Sequence, residues 1–181
     1  MIGFAVGLAG DATHVASGTT RYEWDGVPTI WKSAIWFPFL VASAVLAAAW
    51  IADRQRDRLP PTKTRTRADV IPGAAAVLAL YALTAALRGE PETVSVILTG
   101  TIAVLIWAWW DPSPGALITG LAAAVAGPLV EIAVVQAGAA SYAGGSDGLA
   151  GVAPWLPCLY FAAGAVAARL WGALASAPRT S

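Results

Sequence analysis

Long apolar stretches alternate with short polar connections along the whole chain. The apolar stretches cover residues 2–17, 30–51, 70–87, 93–110, 115–136 and 154–174. Because about 20 apolar residues of helix are needed to cross a bilayer, each stretch is predicted to be a membrane-spanning helix. The pattern therefore predicts an all-α polytopic membrane protein, a single domain over residues 1–181 with six transmembrane helices in one bundle.

Composition and charge agree with this class. Hydrophobic residues make up 57% of the chain and charged residues 12%, whereas a soluble domain has roughly 25% charged residues. The net charge is zero, so nothing indicates a nucleic-acid partner. The connections are too short for a soluble catalytic domain, so any function is expected to lie within the membrane or at its faces.

The distribution of basic residues predicts the orientation. Six of the eleven Lys and Arg residues lie in the connection of residues 53–69. The positive-inside rule places this connection and both termini in the cytoplasm. The N-terminal stretch lacks a basic region and a convincing cleavage site, so it is expected to be a first membrane segment rather than a signal peptide.

Glu131, inside the fifth apolar stretch, is the first candidate for function. A carboxyl group within a spanning segment normally faces the bundle interior or a water-filled cavity. As a neutral acid, Glu131 could bind the hydroxyl or carbonyl group of a ligand; alternatively, it only holds neighbouring helices together. Gln136, five residues further on, either adds an amide to the same pocket or marks the membrane interface.

Pro38 lies inside the second apolar stretch, where a proline removes a backbone donor and clashes with the preceding turn. A kink near residues 36–38 is therefore expected, and it would open the bundle sideways to give a lipid-accessible cavity. Trp36 is placed in this pocket. Most of the other eight Trp residues lie near segment ends, where aromatic side chains anchor helices at the interface.

Asp11 and His14 are three residues apart, on one face of the first predicted helix. Zinc needs three or four ligands and the sequence has a single histidine, so no metal site is predicted. A hydrogen bond between helices or a loop cap is the preferred interpretation. No nucleophile motif surrounds any serine, so a Ser-His-Asp triad is discounted, and no cofactor is expected.

Three stretches together resemble the Insig (insulin-induced gene) family of sterol-sensing membrane proteins. Residues 33–38 (SAIWFP) are similar to the family's SAWWVP, and residues 105–111 (LIWAWWD) to its LWWTFD. Residues 155–161 (WLPCLYF) nearly match its WLPCIFF, which is the most specific of the three motifs. The spacing from the first motif to the last agrees with little or no gapping, so the resemblance covers essentially the whole chain.

The resemblance implies a six-helix bundle with cytosolic termini. Animal Insigs bind oxysterols in a central cavity, hold the escort protein Scap in the endoplasmic reticulum and promote degradation of HMG-CoA reductase. Asp111 matches a family aspartate that matters for Scap engagement, and Glu131 falls where the family has a membrane-embedded glutamine. The Ala/Gly/Arg-rich composition looks like that of a high-GC, actinobacterial-like bacterium, where neither Scap nor an endoplasmic reticulum exists, so no Scap-type partner is expected.

These observations predict a non-enzymatic lipid sensor in the bacterial inner (plasma) membrane, with a sterol- or diacylglycerol-like ligand. A small proton-coupled transporter using Glu131 is the alternative, and a lipid-modifying enzyme ranks third because no convincing acid–base pair is present. Assembly into a homo-oligomer through segments three and four is expected. The predicted ligand-binding residues are Glu131, Gln136, Trp36, Phe37, Pro38, Trp155, Cys158 and His14, and the predicted partner-binding residue is Asp111.

Overall fold

Helices make up most of the protein. A computed structural model describes residues 1–24 and 26–175. In chain order, the helices of that part are α1 (Ile2–Ser17), α2 (Trp36–Gln55), α3 (Arg67–Ala86), α4 (Glu92–Trp110), α5 (Pro114–Gln136) and α6 (Leu156–Ala175). Of these, α2, α3, α4 and α5 are long and apolar enough to cross a membrane, and α6 contains a shorter apolar stretch, Leu156–Leu170. The predicted mostly helical class is confirmed.

The last helix, α6, packs against α2, α3, α4 and α5. Its closest approach is to α5, where two glycines leave no room for a Cβ atom. A Cβ on Gly120 would lie 2.9 Å from the carbonyl oxygen of Phe161, and a Cβ on Gly164 would lie 2.9 Å from the carbonyl oxygen of Thr119. Small residues therefore let the two backbones approach closely, which is a common way for membrane helices to associate.

Two short pairs of strands connect the helix ends. Strand β1 (Thr20–Tyr22) follows α1 and pairs antiparallel with β4 (Ala140–Tyr142), which follows α5. This pairing holds the end of α1 beside the end of α5. Strands β2 (Thr29–Ile30) and β3 (Ser33–Ala34) form a hairpin immediately before α2.

The predicted start and kink of the second helix are wrong. Helix α2 begins at Trp36 rather than near residue 30, because the β2–β3 hairpin occupies the preceding residues. Pro38 therefore lies in the first turn of α2, where backbone N–H groups have no partner within the helix in any case. The proline starts the helix and does not bend it, so it cannot open the bundle sideways.

Polar residues begin α3 three residues earlier than the hydropathy pattern predicts. Thr66 and Asp69 form a capping box, in which the Asp69 carboxylate accepts hydrogen bonds from the Thr66 backbone N–H at 2.8 Å and from its hydroxyl group at 2.9 Å. A pattern of apolar residues does not detect such a cap, because the capping side chains are polar.

Replacing Thr66 with alanine should lower the free energy of unfolding by about 1 kcal/mol, the usual cost of losing an N-cap side chain. Thr64→Ala, at an exposed position in the same connection, is the matched control and should leave stability nearly unchanged. Chemical unfolding of the purified variants in mild detergent measures both values. Equal stabilities of the two variants would contradict the assigned cap.

Candidate functional site

A small polar cavity is lined by residues of all the helices except α4 and by residues of the β1–β4 pair. Its volume is about 20 Å³, which is room for one water-sized group. Among the residues that the structure describes, no lysine or arginine lines the cavity, so the described wall presents acidic groups without a side-chain cation. The wall combines carboxyl, imidazole, hydroxyl and aromatic groups from Asp11, His14, Thr20, Tyr22, Trp36, Phe37, Tyr81, Glu131, Val134, Ala140, Tyr142 and Leu156.

Helix α5 supplies Glu131, which is 7% exposed. The hydroxyl group of Tyr160, on α6, donates a hydrogen bond to Glu131 Oε1 at 2.9 Å, and that of Tyr142, on β4, makes a longer 3.4 Å contact with Oε2. Gly127 makes room for the tyrosine ring, since a Cβ there would lie only 2.3 Å from Tyr160 Cγ. The missing side chain thus lets Tyr160 pack against α5 and reach the carboxyl group.

Helix α1 supplies a second carboxyl group, that of Asp11, which is 4% exposed. The Tyr22 hydroxyl donates a hydrogen bond to Asp11 Oδ2 at 2.6 Å. The Tyr22 ring also packs edge-on against Trp36, with 5.7 Å between ring centroids. Strand β1 therefore links the Asp11 carboxyl group to the first turn of α2.

His14 makes the helix-to-helix hydrogen bond that its sequence position favoured. Its Nε2 lies 2.8 Å from Oγ1 of Thr84 on α3, and the same hydroxyl donates to the carbonyl oxygen of Tyr81 at 2.9 Å. Because the hydroxyl proton of Thr84 is used on that carbonyl, we assign the imidazole proton to Nε2. The Nδ1 atom of His14 is then an acceptor.

The structure brings together only some of the residues predicted to bind ligand. Glu131, Trp36, Phe37 and His14 all line the cavity. Gln136 does not: it is exposed at the end of α5. Five residues of helix rotate a side chain by roughly 140° relative to Glu131, so the two cannot share a face.

The remaining predicted ligand residues serve in packing. Pro38 is fully buried in the first turn of α2, and Trp155 is 2% exposed, with its ring 5.1 Å from that of His14. Cys158 is half-buried, and its sulfur lies 3.4 Å from the place where a Cβ of Gly100, on α4, would be. None of the three is in the wall of the polar cavity.

The tyrosines are the functional groups that sequence reasoning missed. The chain has four tyrosines; Tyr22, Tyr81 and Tyr142 line the cavity, and Tyr160 binds Glu131. A buried tyrosine hydroxyl needs a hydrogen-bond partner, which is the one signal that could have linked Tyr81 and Tyr160 to a polar site. In residues 1–24 and 26–175, no group of three or more His, Cys, Asp or Glu side chains is placed to hold a metal ion.

Asp111 lies apart from the cavity, at the junction of α4 and α5, and its side chain is completely buried. It accepts hydrogen bonds from the hydroxyl groups of Thr62, at 2.6 Å, and Ser113, at 2.8 Å, and it pairs with the Nε atom of Arg169 on α6. This cluster joins the basic connection to three helices. In this arrangement Asp111 is enclosed and is not presented to a partner.

The basic connection also caps the end of α4. Lys63 Nζ donates to the carbonyl oxygens of Ala108, at 3.0 Å, and Trp109, at 2.8 Å, and Arg65 Nε donates to that of Trp110 at 2.8 Å. The last carbonyl groups of a helix lack helical partners and carry partial negative charge, so two cations stabilise this end.

Acidification should remove the stability that Asp111 provides. Burial alone raises its pKa, but hydrogen bonds from Thr62, Arg169 and Ser113 more than offset burial and hold the pKa of Asp111 below its ordinary value of 3.8. Because the folded-state pKa is the lower one, this stabilisation is complete above about pH 4 and is lost as the pH falls through the folded-state value. Unfolding measured between about pH 6 and pH 2 should show a steeper loss for the wild type than for Asp111→Asn, and parallel curves would contradict this.

The helices and the enclosed carboxyl groups define a polytopic helical membrane protein with a buried polar cavity. No family model matches the chain. The chain is 43% identical over 180 residues to the INSIG protein homolog of Mycolicibacterium vanbaalenii, a match that covers 99% of this chain and 85% of that protein. The chain therefore belongs to the Insig family.

Solved structures agree with this assignment. The crystal structure of MvINS, a mycobacterial Insig homolog from Mycobacterium vanbaalenii, has a TM-score of 0.88 at 40% identity and matches 98% of this chain and 93% of its own. A crystal structure of a cross-linked MvINS trimer has a TM-score of 0.86 at 40% identity and matches 99% of this chain and 93% of its own. The resemblance seen in the three sequence motifs is thus confirmed, and the protein is an Insig-like integral membrane protein.

Proposed function

We propose that the protein is a non-enzymatic lipid-binding protein whose ligand is a single sterol- or diacylglycerol-like lipid. The observation that carries this proposal is the burial of two carboxyl groups, those of Asp11 and Glu131, around one cavity of a membrane protein. Ionisable groups within membrane segments are costly and by default mark functional sites. A neutral polar head group suits this cavity better than an anionic phosphate, which the carboxyl groups would repel.

An apolar groove beside the cavity supports a ligand with a hydrocarbon part. The groove has a volume of about 390 Å³ and is lined by Phe4, Ala5, Val6, Leu8, Ala9, Trp31 and Leu78, and this volume lies within the range of ordinary ligand pockets. Helix α1 contributes to both sites, with Leu8 in the groove and Asp11 three residues further on in the polar cavity. A lipid with its polar head at Asp11 and a chain or ring system in the groove would contact both.

We extend the proposal to topology and location. All six helices are taken to cross the membrane as one domain, with both termini in the cytoplasm of a bacterium and the protein in its plasma membrane. The basic connection between α2 and α3 supports this orientation through the positive-inside rule. Its lysine and arginine side chains at the end of α4 would then lie at the cytoplasmic surface.

Assembly through α3 and α4 is part of the same proposal. Large apolar side chains on these helices are exposed, among them Ile71, Ile97 and Leu105. The related MvINS forms the cross-linked trimer noted above, which supports a homo-oligomer here. The native mass of the purified particle tests this point: three chains would support the proposal, and a particle of one chain would contradict it.

The experiment that tests lipid binding is native mass spectrometry with lipid extraction on the protein purified in mild detergent. We expect one lipid class, retained at about one molecule per chain and enriched over its share of the membrane. Bulk phospholipid in membrane proportions would overturn the proposal.

The alternative, a proton-coupled transporter, gains one observation from the structure, because Asp11 is a second buried carboxyl group beside Glu131. Two such groups could exchange a proton during a transport cycle. Proton uptake that depends on substrate flux in liposomes would favour the transporter. Retention of one stoichiometric lipid without proton movement would favour the lipid-binding protein.

A further inference from the structure

The polar cavity offers many hydrogen-bond acceptors and few free donors. The hydroxyl groups of Tyr22 and Tyr160 already donate to the carboxyl groups of Asp11 and Glu131, and that of Tyr142 makes the longer contact with Glu131. Tyr81 and Thr20 supply the remaining hydroxyl groups of the wall. The assigned Nε2 proton of His14 is used on Thr84, which leaves Nδ1 as a further acceptor. Because each carboxylate oxygen has two lone pairs, acceptor sites still outnumber these donors even if one proton is shared between the two carboxyl groups. A head group that carries only acceptor oxygens would therefore place them against the carboxyl oxygens with no hydrogen between them, which is unfavourable.

Thr20 adds a second, independent observation. This residue is 8% exposed and lines the cavity, and its hydroxyl group makes no hydrogen bond to any part of the chain that the structure describes. A buried hydroxyl without a partner is unfavourable, and it needs a group to which it can donate. An ammonium group has no lone pair to accept that proton, whereas a hydroxyl oxygen accepts one bond and donates another.

The size of the cavity matches a group of that kind. A volume of about 20 Å³ admits one water-sized group. A hydroxyl group has nearly the size of water, whereas an ester or a phosphate is considerably larger. The excess of acceptors, the unpartnered Thr20 hydroxyl and the volume of the cavity thus all favour a hydroxyl group.

We infer that the cavity recognises a free hydroxyl group on the ligand, which donates its proton to the Asp11–Glu131 carboxyl pair and accepts a hydrogen bond from Thr20. This inference rests on the proposed lipid-binding function and adds to it the chemical group of the ligand that the cavity recognises. A free hydroxyl is common to diacylglycerols and sterols, so the shared group, and not one lipid class, is what the cavity selects.

Matched lipids that differ by one oxygen atom test the inference on the unmodified protein. Native mass spectrometry compares 1,2-dioleoylglycerol with dioleoyl propane-1,2-diol, its 3-deoxy analogue, and cholesterol with cholest-5-ene. We expect the hydroxylated member of at least one pair to bind roughly tenfold more tightly or better, because a site built to bond a hydroxyl group discriminates strongly against its absence. The pair that shows this preference identifies which lipid class supplies the hydroxyl.

The other outcomes separate the two claims. If neither pair shows a preference although lipid binds, the hydroxyl inference is overturned while lipid binding stands. If none of the four lipids binds, the proposed function fails with it. Asp11→Leu, which removes two acceptor oxygens at similar size, should bring the ratio of hydroxylated to deoxy binding close to one. A purely structural role for Asp11 would weaken both lipids equally and leave that ratio unchanged.

Discussion

Replacing Asp111 with alanine should lower the free energy of unfolding by about 3–5 kcal/mol, the largest effect on stability that we expect from one substitution in this chain. The change would leave the guanidinium group of Arg169, itself 8% exposed, without its carboxylate partner. It would also remove the acceptor for the hydroxyl groups of Thr62 and Ser113. A buried charge without a partner is far more costly than a missing surface contact, and unfolding in mild detergent measures the difference.

A surface pair provides the control. Asp53 and Arg56 form a 3.2 Å ion pair whose arginine side chain is 60% exposed, and Asp53→Ala should cost less than about 1 kcal/mol. The double variant Asp111→Leu/Arg169→Met removes both buried charges and should recover most of the stability lost in Asp111→Ala. A double variant no more stable than the single one would show that the buried charge is not the cause.

Glu131→Ala should reduce the amount of co-purified lipid by about tenfold or more. The substitution removes the acceptor of the Tyr160 and Tyr142 hydroxyl groups and one of the two carboxyl groups of the cavity. A hydrogen bond is worth about 0.5–1.5 kcal/mol, and more when one partner is charged, while each 1.4 kcal/mol changes affinity tenfold. The ratio of lipid to protein after extraction measures the loss.

Two further variants make the Glu131 result specific. Glu131→Gln keeps one acceptor oxygen and the side-chain size, so it should retain more lipid than Glu131→Ala. Glu90→Ala removes an exposed carboxyl group in the turn before α4 and should retain as much lipid as the wild type. Wild-type retention in Glu131→Ala would remove Glu131 from the proposed site.

The helices could be predicted because a membrane helix is apolar on its lipid-facing and its core-facing sides alike. The start of α2 could not, since Ile30, Ala34 and Ile35 extend the apolar pattern of the helix, but residues 29–30 pair with residues 33–34 across the β2–β3 hairpin. A proline in the middle of a helix bends it, whereas a proline in the first turn, where Pro38 lies, is tolerated. The local β2–β3 hairpin fixes where α2 begins, and its two-residue turn at Trp31 and Lys32 lacks the Asn or Gly residues typical of such turns.

Four of the residues that line the cavity, Glu131, Trp36, Phe37 and His14, could be predicted from the sequence, and the others were hidden. Glu131 stands out as a charge within an apolar run, and this signal is local. Tyr22 and Tyr142 come from connections that look like surface loops, and they reach the cavity because β1 pairs with β4. Thr20 is likewise brought in by this pairing, so no spacing along the chain could have revealed the hydroxyl groups around the carboxyl pair.

The measurement that tests the central claim most directly is photolabelling with a diacylglycerol that carries a diazirine in one acyl chain, close to the glycerol. We expect the label on peptides of α1 and α3 that line the cavity and the adjoining groove, displaced by unlabelled diacylglycerol and lost in Glu131→Ala. Labels spread over the outer faces of the helices, without displacement and unchanged in the variant, would contradict a lipid site at this cavity.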